Sequence, residues 1–144
     1  MGSGICGLIQ TRDLLGLKTK IVGVVAEGAP TFALSFAEGK IINTEQANTL
    51  ADGVATRAPI EQAFEIIKKG ASRIITVSEQ EIAQAMYCYF STTHNLSEGA
   101  GAVPLAGLMK EQEKMRGKDV GLILTGSNID YDSFCRHIKQ ARMS

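Results

Sequence analysis

The stretch Ile21-Val22-Gly23-Val24-Val25-Ala26, IVGVVA, is a short run of mostly branched apolar residues without polar alternation. Residues 73–77 (RIITV) and 120–124 (VGLIL) form two further runs of the same kind. Such runs are typical of parallel strands that are buried on both faces of a sheet. Helical patterns separate the runs, and this alternation indicates an α/β fold with right-handed crossovers. The sequence therefore predicts a mostly parallel sheet flanked by helices.

Three helices and one long loop are predicted around these strands. Residues 60–69 follow Pro59, a residue favoured at the start of a helix. Residues 79–89 follow Ser78, a suitable N-cap residue, with Glu81 at the capping-box position. Residues 99–115 are rich in alanine, leucine and methionine. Residues 39–58 show little periodicity, and long ordered loops of this kind are often functional.

The composition predicts one cytoplasmic domain that covers residues 1–144. The chain has 144 residues, of which 44% are hydrophobic, and no composition shift marks a boundary. Its 15 basic residues balance its 15 acidic ones, which argues against binding to nucleic acid or to a membrane surface. The three cysteines are widely spaced, so they predict buried thiols in a reducing compartment. We find no signal peptide and no apolar stretch long enough to span a bilayer.

The first polar motif is Gly2-Ser3-Gly4, which precedes an apolar segment and looks like a turn that runs into a helix. Backbone N–H groups at a helix N-terminus bind phosphate, and glycine permits close approach of the ligand. So short a motif is also compatible with an unstructured tail. From these residues alone, both interpretations stay open.

Two further motifs place polar groups beside small residues. Glu98 precedes Gly99-Ala100-Gly101-Ala102, which would admit a flat ring or another backbone. Glu98 could instead be a favourable charge at a helix N-terminus. The segment Thr125-Gly126-Ser127-Asn128 follows the third apolar run, and ligands of open α/β sheets bind at the carboxyl ends of strands. A simple turn is the alternative, because glycine, serine and asparagine are common in turns.

Taken in order, these motifs resemble the C-terminal half of the serine/threonine dehydratases. The resemblance is carried by five segments: Gly2-Ser3-Gly4 with Gly7, Ala26-Glu27, Leu50-Ala51-Asp52-Gly53-Val54-Ala55, Ser97-Glu98-Gly99-Ala100-Gly101-Ala102 and Thr125-Gly126-Ser127-Asn128. It spans nearly the whole chain and is more specific than any single motif. It implies the larger-lobe part of a fold type II pyridoxal-phosphate enzyme. The implied activity is an L-threonine/L-serine ammonia-lyase that gives a 2-oxo acid and ammonia.

The resemblance also implies which residues contact pyridoxal phosphate. Gly2, Ser3 and Gly4 would belong to the loop that holds the phosphate. Gly53 and Glu98 would lie beside the ring.

The pyridine nitrogen of the cofactor would face Thr125, where the family usually has a serine, and Asn128 would help to fix this loop. A hydroxyl at that place need not keep the nitrogen protonated, so the ring withdraws electrons less strongly. Prompt loss of a β-hydroxyl is then favoured over a long-lived carbanion. The resemblance thus implies that Glu98 and Thr125 are the catalytic residues.

Two features depart from the family pattern. The lysine that carries the cofactor covalently lies in an N-terminal motif of the family, and no lysine here has that context. We therefore expect the chain alone to be inactive, to need the N-terminal part of the enzyme, and to self-associate through exposed apolar surface as a homo-oligomer. Some relatives bind a cation near the position of Glu27, but Ala33 replaces the second carboxylate, so no metal is predicted.

Other interpretations remain open. A different fold type II activity, such as an amino-acid racemase or a hydroxyaspartate dehydratase, would use the same residues. A non-catalytic fragment or assembly subunit would also fit the missing lysine. His94 is interpreted as a helix-end residue and His137 as solvated surface, because a histidine without a located partner is weak evidence for catalysis.

Overall fold

A computed structural model describes residues 2–142 of the chain. The elements occur in this order: α1 (Ser3–Leu14), β1 (Ile21–Ala26), α2 (Thr31–Glu38), a 3-10 turn (Asp52–Val54), α3 (Glu61–Gly70), β2 (Ala71–Val77), α4 (Glu79–Cys88), a π-helical turn (Tyr89–Thr93), α5 (Gly99–Lys110), α6 (Gln112–Met115) and α7 (Tyr131–Arg142). They form two compact units. The first comprises residues 2–48 and 54–76, and the second comprises residues 49–53 and 77–142.

The first unit contains the sheet, in which β1 pairs with β2. The Ser72 hydroxyl donates a hydrogen bond to the carbonyl oxygen of Ile21 at 2.9 Å, between residues 51 positions apart. A Cβ atom added to Gly23 would lie 3.2 Å from Ile74, and 74 minus 23 is again 51. Because the offset is constant, the strands run parallel, as predicted.

Three helices build the core of the first unit. Cys6 and Ile9 of α1 cluster with Phe32 of α2 and Ile67 of α3, and all four are buried. Burial of an isoleucine or phenylalanine side chain stabilises a fold by about 1.5–3 kcal/mol. Helix α1 packs closely on α3, because a Cβ atom on Gly70 would overlap Ile9.

The long loop after α2 is anchored by buried hydroxyl groups. Thr31 donates to the carbonyl oxygen of Ile42 at 2.5 Å, and Ser35 accepts the Ile42 backbone N–H at 2.9 Å. The loop prediction for residues 39–58 is confirmed, with a single 3-10 turn inside it.

The second unit is built from helices, and the predicted start of α4 is confirmed. Ser78 accepts the Glu81 backbone N–H at 3.2 Å, while Glu81 accepts the Ser78 N–H at 2.7 Å. This capping box satisfies two backbone donors that a helix start otherwise leaves free. The buried side chains of Ile82 and Met86 then pack α4 into the unit.

One predicted strand and one predicted helix differ from the structure. Residues 120–124 form no strand, and Val120, Ile123 and Leu124 are 42%, 51% and 38% exposed. A strand requires a hydrogen-bonding neighbour, and the described residues supply none at this place. The predicted helix 99–115 is divided into α5 and α6, because the chain leaves helical geometry at Glu111. Between residues 2 and 142, no helix is both long enough and apolar enough to cross a membrane.

Candidate functional site

The glycine motif of the first unit forms a turn that runs directly into α1, as predicted. Gly2 is the N-cap residue with a left-handed backbone, at φ 83°, and its carbonyl oxygen accepts the Cys6 N–H at 3.0 Å. A Cβ atom on Gly2 would lie 3.3 Å from Ile67 and 3.4 Å from Phe32. The left-handed backbone therefore favours glycine here, and an added Cβ atom would also crowd Ile67.

The beginning of α1 leaves room for an anion. Ser3 and Gly4 are exposed, and a Cβ atom on Gly4 would meet nothing within 4 Å. Within the described chain, no side chain caps this helix end. Its first backbone N–H groups and the positive end of the helix dipole can therefore receive a phosphate.

In the second unit, the structure brings Glu98 together with the segment that contains Thr125 and Asn128. The Glu98 backbone N–H donates to the Gly126 carbonyl oxygen at 3.2 Å. A Cβ atom on Gly126 would overlap Oε1 of Glu98, and one on Gly101 would lie 2.6 Å from the Gly126 carbonyl oxygen. Glycine at both positions thus allows the segment to lie on the Glu98 carboxylate.

Gly53 lies against the same helix start. A Cβ atom on Gly53 would be 2.8 Å from the methyl group of Ala100. One on Gly99 would overlap the Leu50 side chain and lie 2.8 Å from the Leu50 carbonyl oxygen. Gly53, Glu98 and Gly126 are therefore gathered around the start of α5.

Thr125 and Asn128 have exposed side chains. Neither makes a side-chain hydrogen bond to another residue in the described range 2–142. The hydroxyl of Thr125 is free to donate to or accept from a ligand. Backbone bonding in the segment includes the Ile129 N–H, which donates to the Ser127 carbonyl oxygen at 3.0 Å.

Sequence reasoning missed Glu79, the first residue of α4. Its Oε2 accepts the backbone N–H of Leu50 at 2.6 Å, between residues 29 positions apart. The acid directly after Ser78 is explained locally by the helix start, so nothing in the sequence pointed to Leu50.

His137 is a correction to the sequence analysis. It lines a cleft of about 380 Å³ together with Leu50 and Glu79. Its Nδ1 is buried and has no hydrogen-bond partner among the residues described. The surface prediction is wrong because α7 packs on α4, and this packing buries part of the His137 ring.

The other titratable residues lie as follows. His94 is the exposed residue that ends the π-helical turn, so its interpretation as a helix-end residue is confirmed. Cys6 is buried, and burial raises the pKa of its thiol. Cys88 and Cys135 are only half-buried, which corrects the prediction for these two. In the part of the chain that the structure describes, no group of three or more His, Cys, Asp or Glu side chains could hold a metal ion.

Comparison with known proteins gives consistent matches. Residues 1–126 match the protein family described as pyridoxal-phosphate dependent enzyme. An L-threonine ammonia-lyase of Thermotoga maritima is 32% identical over 139 residues, which cover 96% of this chain and 34% of that protein. An L-threonine ammonia-lyase of Geobacter sulfurreducens is 40% identical over 112 residues, which cover 77% of this chain and 28% of that protein. A beta-hydroxyaspartate dehydratase of Paracoccus denitrificans is 34% identical over 132 residues, which cover 91% of this chain and 41% of that protein.

Solved structures match over a similar share. The T.th. threonine deaminase has a TM-score of 0.84 and 31% identity, covering 90% of this chain and 47% of that one. The processed form of threonine deaminase isoform 2 from Solanum lycopersicum has a TM-score of 0.92 and 27% identity, and the match covers 99% of this chain and 40% of that one. The chain thus spans less than half the length of these relatives.

Proposed function

Because the chain belongs to the family of pyridoxal-phosphate-dependent enzymes, we propose that it is the C-terminal part of an L-threonine/L-serine dehydratase. This ammonia-lyase would give a 2-oxo acid and ammonia. The fold, a mostly parallel sheet flanked by helices, is that of fold type II members of the family, as predicted. The proposal is carried by the close packing of Gly126 on the Glu98 carboxylate at the start of α5. Two similar L-threonine ammonia-lyases support the activity.

The ring of the cofactor is proposed to lie among Gly53, Glu98 and Thr125. Close backbone approach at Gly53 and Gly126 supports this, because it forms a firm surface beside a single carboxylate. The exposed Thr125 hydroxyl would hydrogen-bond to the pyridine nitrogen, with Asn128 in the same loop. Pyridoxal phosphate, when bound, draws electrons from the substrate's α-carbon, so that its proton and β-hydroxyl can leave. A hydroxyl partner keeps this effect moderate and favours elimination over racemisation.

The phosphate is proposed to bind at Gly2, Ser3 and Gly4. The residues fit this role, because the α1 start offers backbone N–H groups, an exposed Ser3 hydroxyl and open space at Gly4. A dianionic phosphate suits the positive end of the helix dipole.

The cofactor-bearing lysine is proposed to come from an N-terminal part of the enzyme, and this part is the expected partner of the chain. Lysines described here make surface contacts, as when Lys68 donates to the Gly39 carbonyl oxygen at 2.6 Å. The exposed side chains of Val120, Ile123 and Leu124 are available to pack on a partner. We include a homo-oligomeric state, a cytoplasmic location and a small amino-acid substrate in the proposal.

An activity on 3-hydroxyaspartate is the second candidate. It is favoured by the 34% identity to the beta-hydroxyaspartate dehydratase. The residues of the proposed ring site do not separate the two, because both reactions remove a β-hydroxyl group.

The test is to produce the chain together with the N-terminal part of a dehydratase and to add pyridoxal phosphate. We expect 2-oxobutyrate from L-threonine in the assembly and none from the 144-residue chain alone, since covalent catalysis needs the missing amine. Oxaloacetate from 3-hydroxyaspartate as the main product would favour the second candidate. An assembly that binds no cofactor, by absorbance, would contradict both.

A further inference from the structure

The carboxylate of Glu79 makes a hydrogen bond that joins two parts of the second unit. Its Oε2 accepts the Leu50 backbone N–H at 2.6 Å, between residues 29 positions apart. Leu50 begins the turn that carries Gly53, whereas Glu79 begins α4. A hydrogen bond to an ionised carboxylate is shorter and about twice as strong as one between neutral groups. The bond therefore fixes the start of this turn to the start of α4.

The turn that is fixed in this way is pressed against the start of α5. Ala51 is fully buried, at 0% exposure. The Leu50 carbonyl oxygen would lie 2.8 Å from a Cβ atom on Gly99, and the Ala100 methyl group would lie 2.8 Å from one on Gly53. Because these contacts leave no free space, a displacement of Leu50 is transmitted to Gly53.

The bond to Leu50 is the one side-chain hydrogen bond that Glu79 makes within residues 2–142. Its Oε1 is buried and has no partner in that range. A carboxylate oxygen that is buried without a partner costs free energy, so this side chain is a poor choice for stability alone. Negative charge at the start of α4 is also supplied by Glu81. The tether to Leu50 is thus the specific feature of Glu79.

We propose that Glu79 is a positioning residue for the cofactor. It holds Leu50-Ala51-Asp52-Gly53 against α5 and so fixes the position of Gly53 at the start of that helix, where Glu98 lies. This inference rests on the proposed function, because the position of Gly53 matters only if the cofactor ring lies beside Gly53 and Glu98. Glu79 itself acts through the turn and does not touch the reacting atoms.

The first measurement is hydrogen exchange of the Leu50 amide in the chain itself, followed by NMR. Loss of a charge-assisted hydrogen bond corresponds to roughly a tenfold to hundredfold faster exchange. We expect this effect in Glu79→Ala and a smaller one in Glu79→Gln, whose amide oxygen can still accept the bond. Gln80→Ala is the matched control, because Gln80 is exposed in the same helical turn. The Met86 amide reports whether α4 as a whole has loosened.

The second measurement is the dissociation constant of pyridoxal phosphate in the assembly with the N-terminal part. We expect Glu79→Ala to raise it about tenfold, since Gly53 is no longer held in place for the ring. Glu79→Gln should recover most of the affinity, and Gln80→Ala should match the parent. Recovery by glutamine would not follow from a role of the charge in helix stability.

The outcomes separate the two proposals. Selective acceleration at Leu50 with weaker cofactor binding supports the positioning role. Unchanged Leu50 exchange, equal acceleration at Met86, or unchanged cofactor binding in Glu79→Ala would each overturn it while the parent still binds cofactor. If the parent assembly binds no pyridoxal phosphate, the proposed function fails, and the positioning role is overturned with it.

Discussion

The starts of α1 and α5 are both rich in glycine, yet their surroundings are opposite. At α1, Ser3 and Gly4 are exposed, and a Cβ atom on Gly4 would meet nothing within 4 Å. At α5, Gly99 and Gly101 are buried, and a Cβ atom on either would meet the backbone of another segment within 3 Å. Glycine therefore provides open space at the first helix and close backbone approach at the second.

The difference shows how one residue type can serve two kinds of binding. An open helix start leaves its N–H groups to an anion, which the helix dipole attracts. A start that is covered by other segments becomes a rigid surface, and here that surface carries the single carboxylate of Glu98. The proposed phosphate contact uses the first property, and the proposed ring contact uses the second.

The largest effect should come from filling the covered helix start. Gly99→Ala would force the added methyl group onto Leu50, and overpacking of this kind costs about 1–3 kcal/mol. Gly4→Ala should be neutral or stabilise by up to about 1 kcal/mol, because alanine is the better helix former. Urea unfolding measures both effects as changes in the free energy of unfolding. Equal changes in the free energy of unfolding for the two substitutions would contradict the contrast between the covered start of α5 and the open start of α1.

A second substitution tests the turn before α1. Gly2→Ala should lower the free energy of unfolding by about 1–2 kcal/mol, since the left-handed backbone disfavours a Cβ atom. Gly16→Ala is the control, because Gly16 also has a positive φ, of 63°, but no neighbour within 4 Å of an added Cβ atom. The loss of unfolding free energy in Gly2→Ala beyond that in Gly16→Ala measures the crowding of the added Cβ atom against Phe32 and Ile67. No excess in urea unfolding would mean that only conformation selects glycine there.

Local patterns in the sequence were sufficient for several elements. Ser78 and Glu81 predicted the start of α4 because a capping box involves residues three positions apart. The run Ile21–Ala26 predicted β1, because buried parallel strands have no polar alternation. In each case the decisive interactions lie within a few residues or follow from composition.

Contacts between distant residues could not be predicted in this way. Residues 120–124 have strand composition, but strand formation depends on a neighbour that no local pattern reveals. The packing of Gly126 on Glu98 joins segments that only the family resemblance had linked. The bond from Leu50 to Glu79 was also missed. The helix start already explained an acidic residue directly after Ser78, so nothing pointed to a distant partner.

Substitutions of Thr125 test the proposal that its hydroxyl faces the pyridine nitrogen of the cofactor. In the assembly, Thr125→Ala should lower turnover about tenfold, since one hydrogen bond to a neutral acceptor contributes about 0.5–1.5 kcal/mol. Thr125→Asp should differ in kind, because a carboxylate favours a protonated ring and so more racemisation per elimination. Ser127→Ala, in the same exposed segment, is the control. Identical product ratios for the alanine and aspartate variants would show that Thr125 does not face the pyridine nitrogen.

The smallest effect is expected at α4, whose start is closed by its own side chains. Burial raises the pKa of Glu81, but the hydrogen bonds from Ser78 and the interaction with Lys110 outweigh it, so the pKa is lowered. A group whose pKa is lowered by folding stabilises the folded state at pH values above its unfolded-state pKa, which is about 4.3 for glutamate. This stability is lost as the pH falls through the folded-state pKa.

Glu81→Gln keeps a side-chain oxygen for the cap and removes only the charge. It should lower the free energy of unfolding at neutral pH by about 0.3–1 kcal/mol, because the ion pair with Lys110 is partly solvated. The difference from the parent should vanish in acid, where Glu81 is protonated and resembles glutamine. Glu113→Gln is the control, because that ion pair is fully on the surface and contributes little. A Glu81→Gln effect that persisted unchanged in acid would locate the stabilisation in the geometry of the cap. The start of α4 would then depend on shape, as the covered start of α5 does, and not on charge.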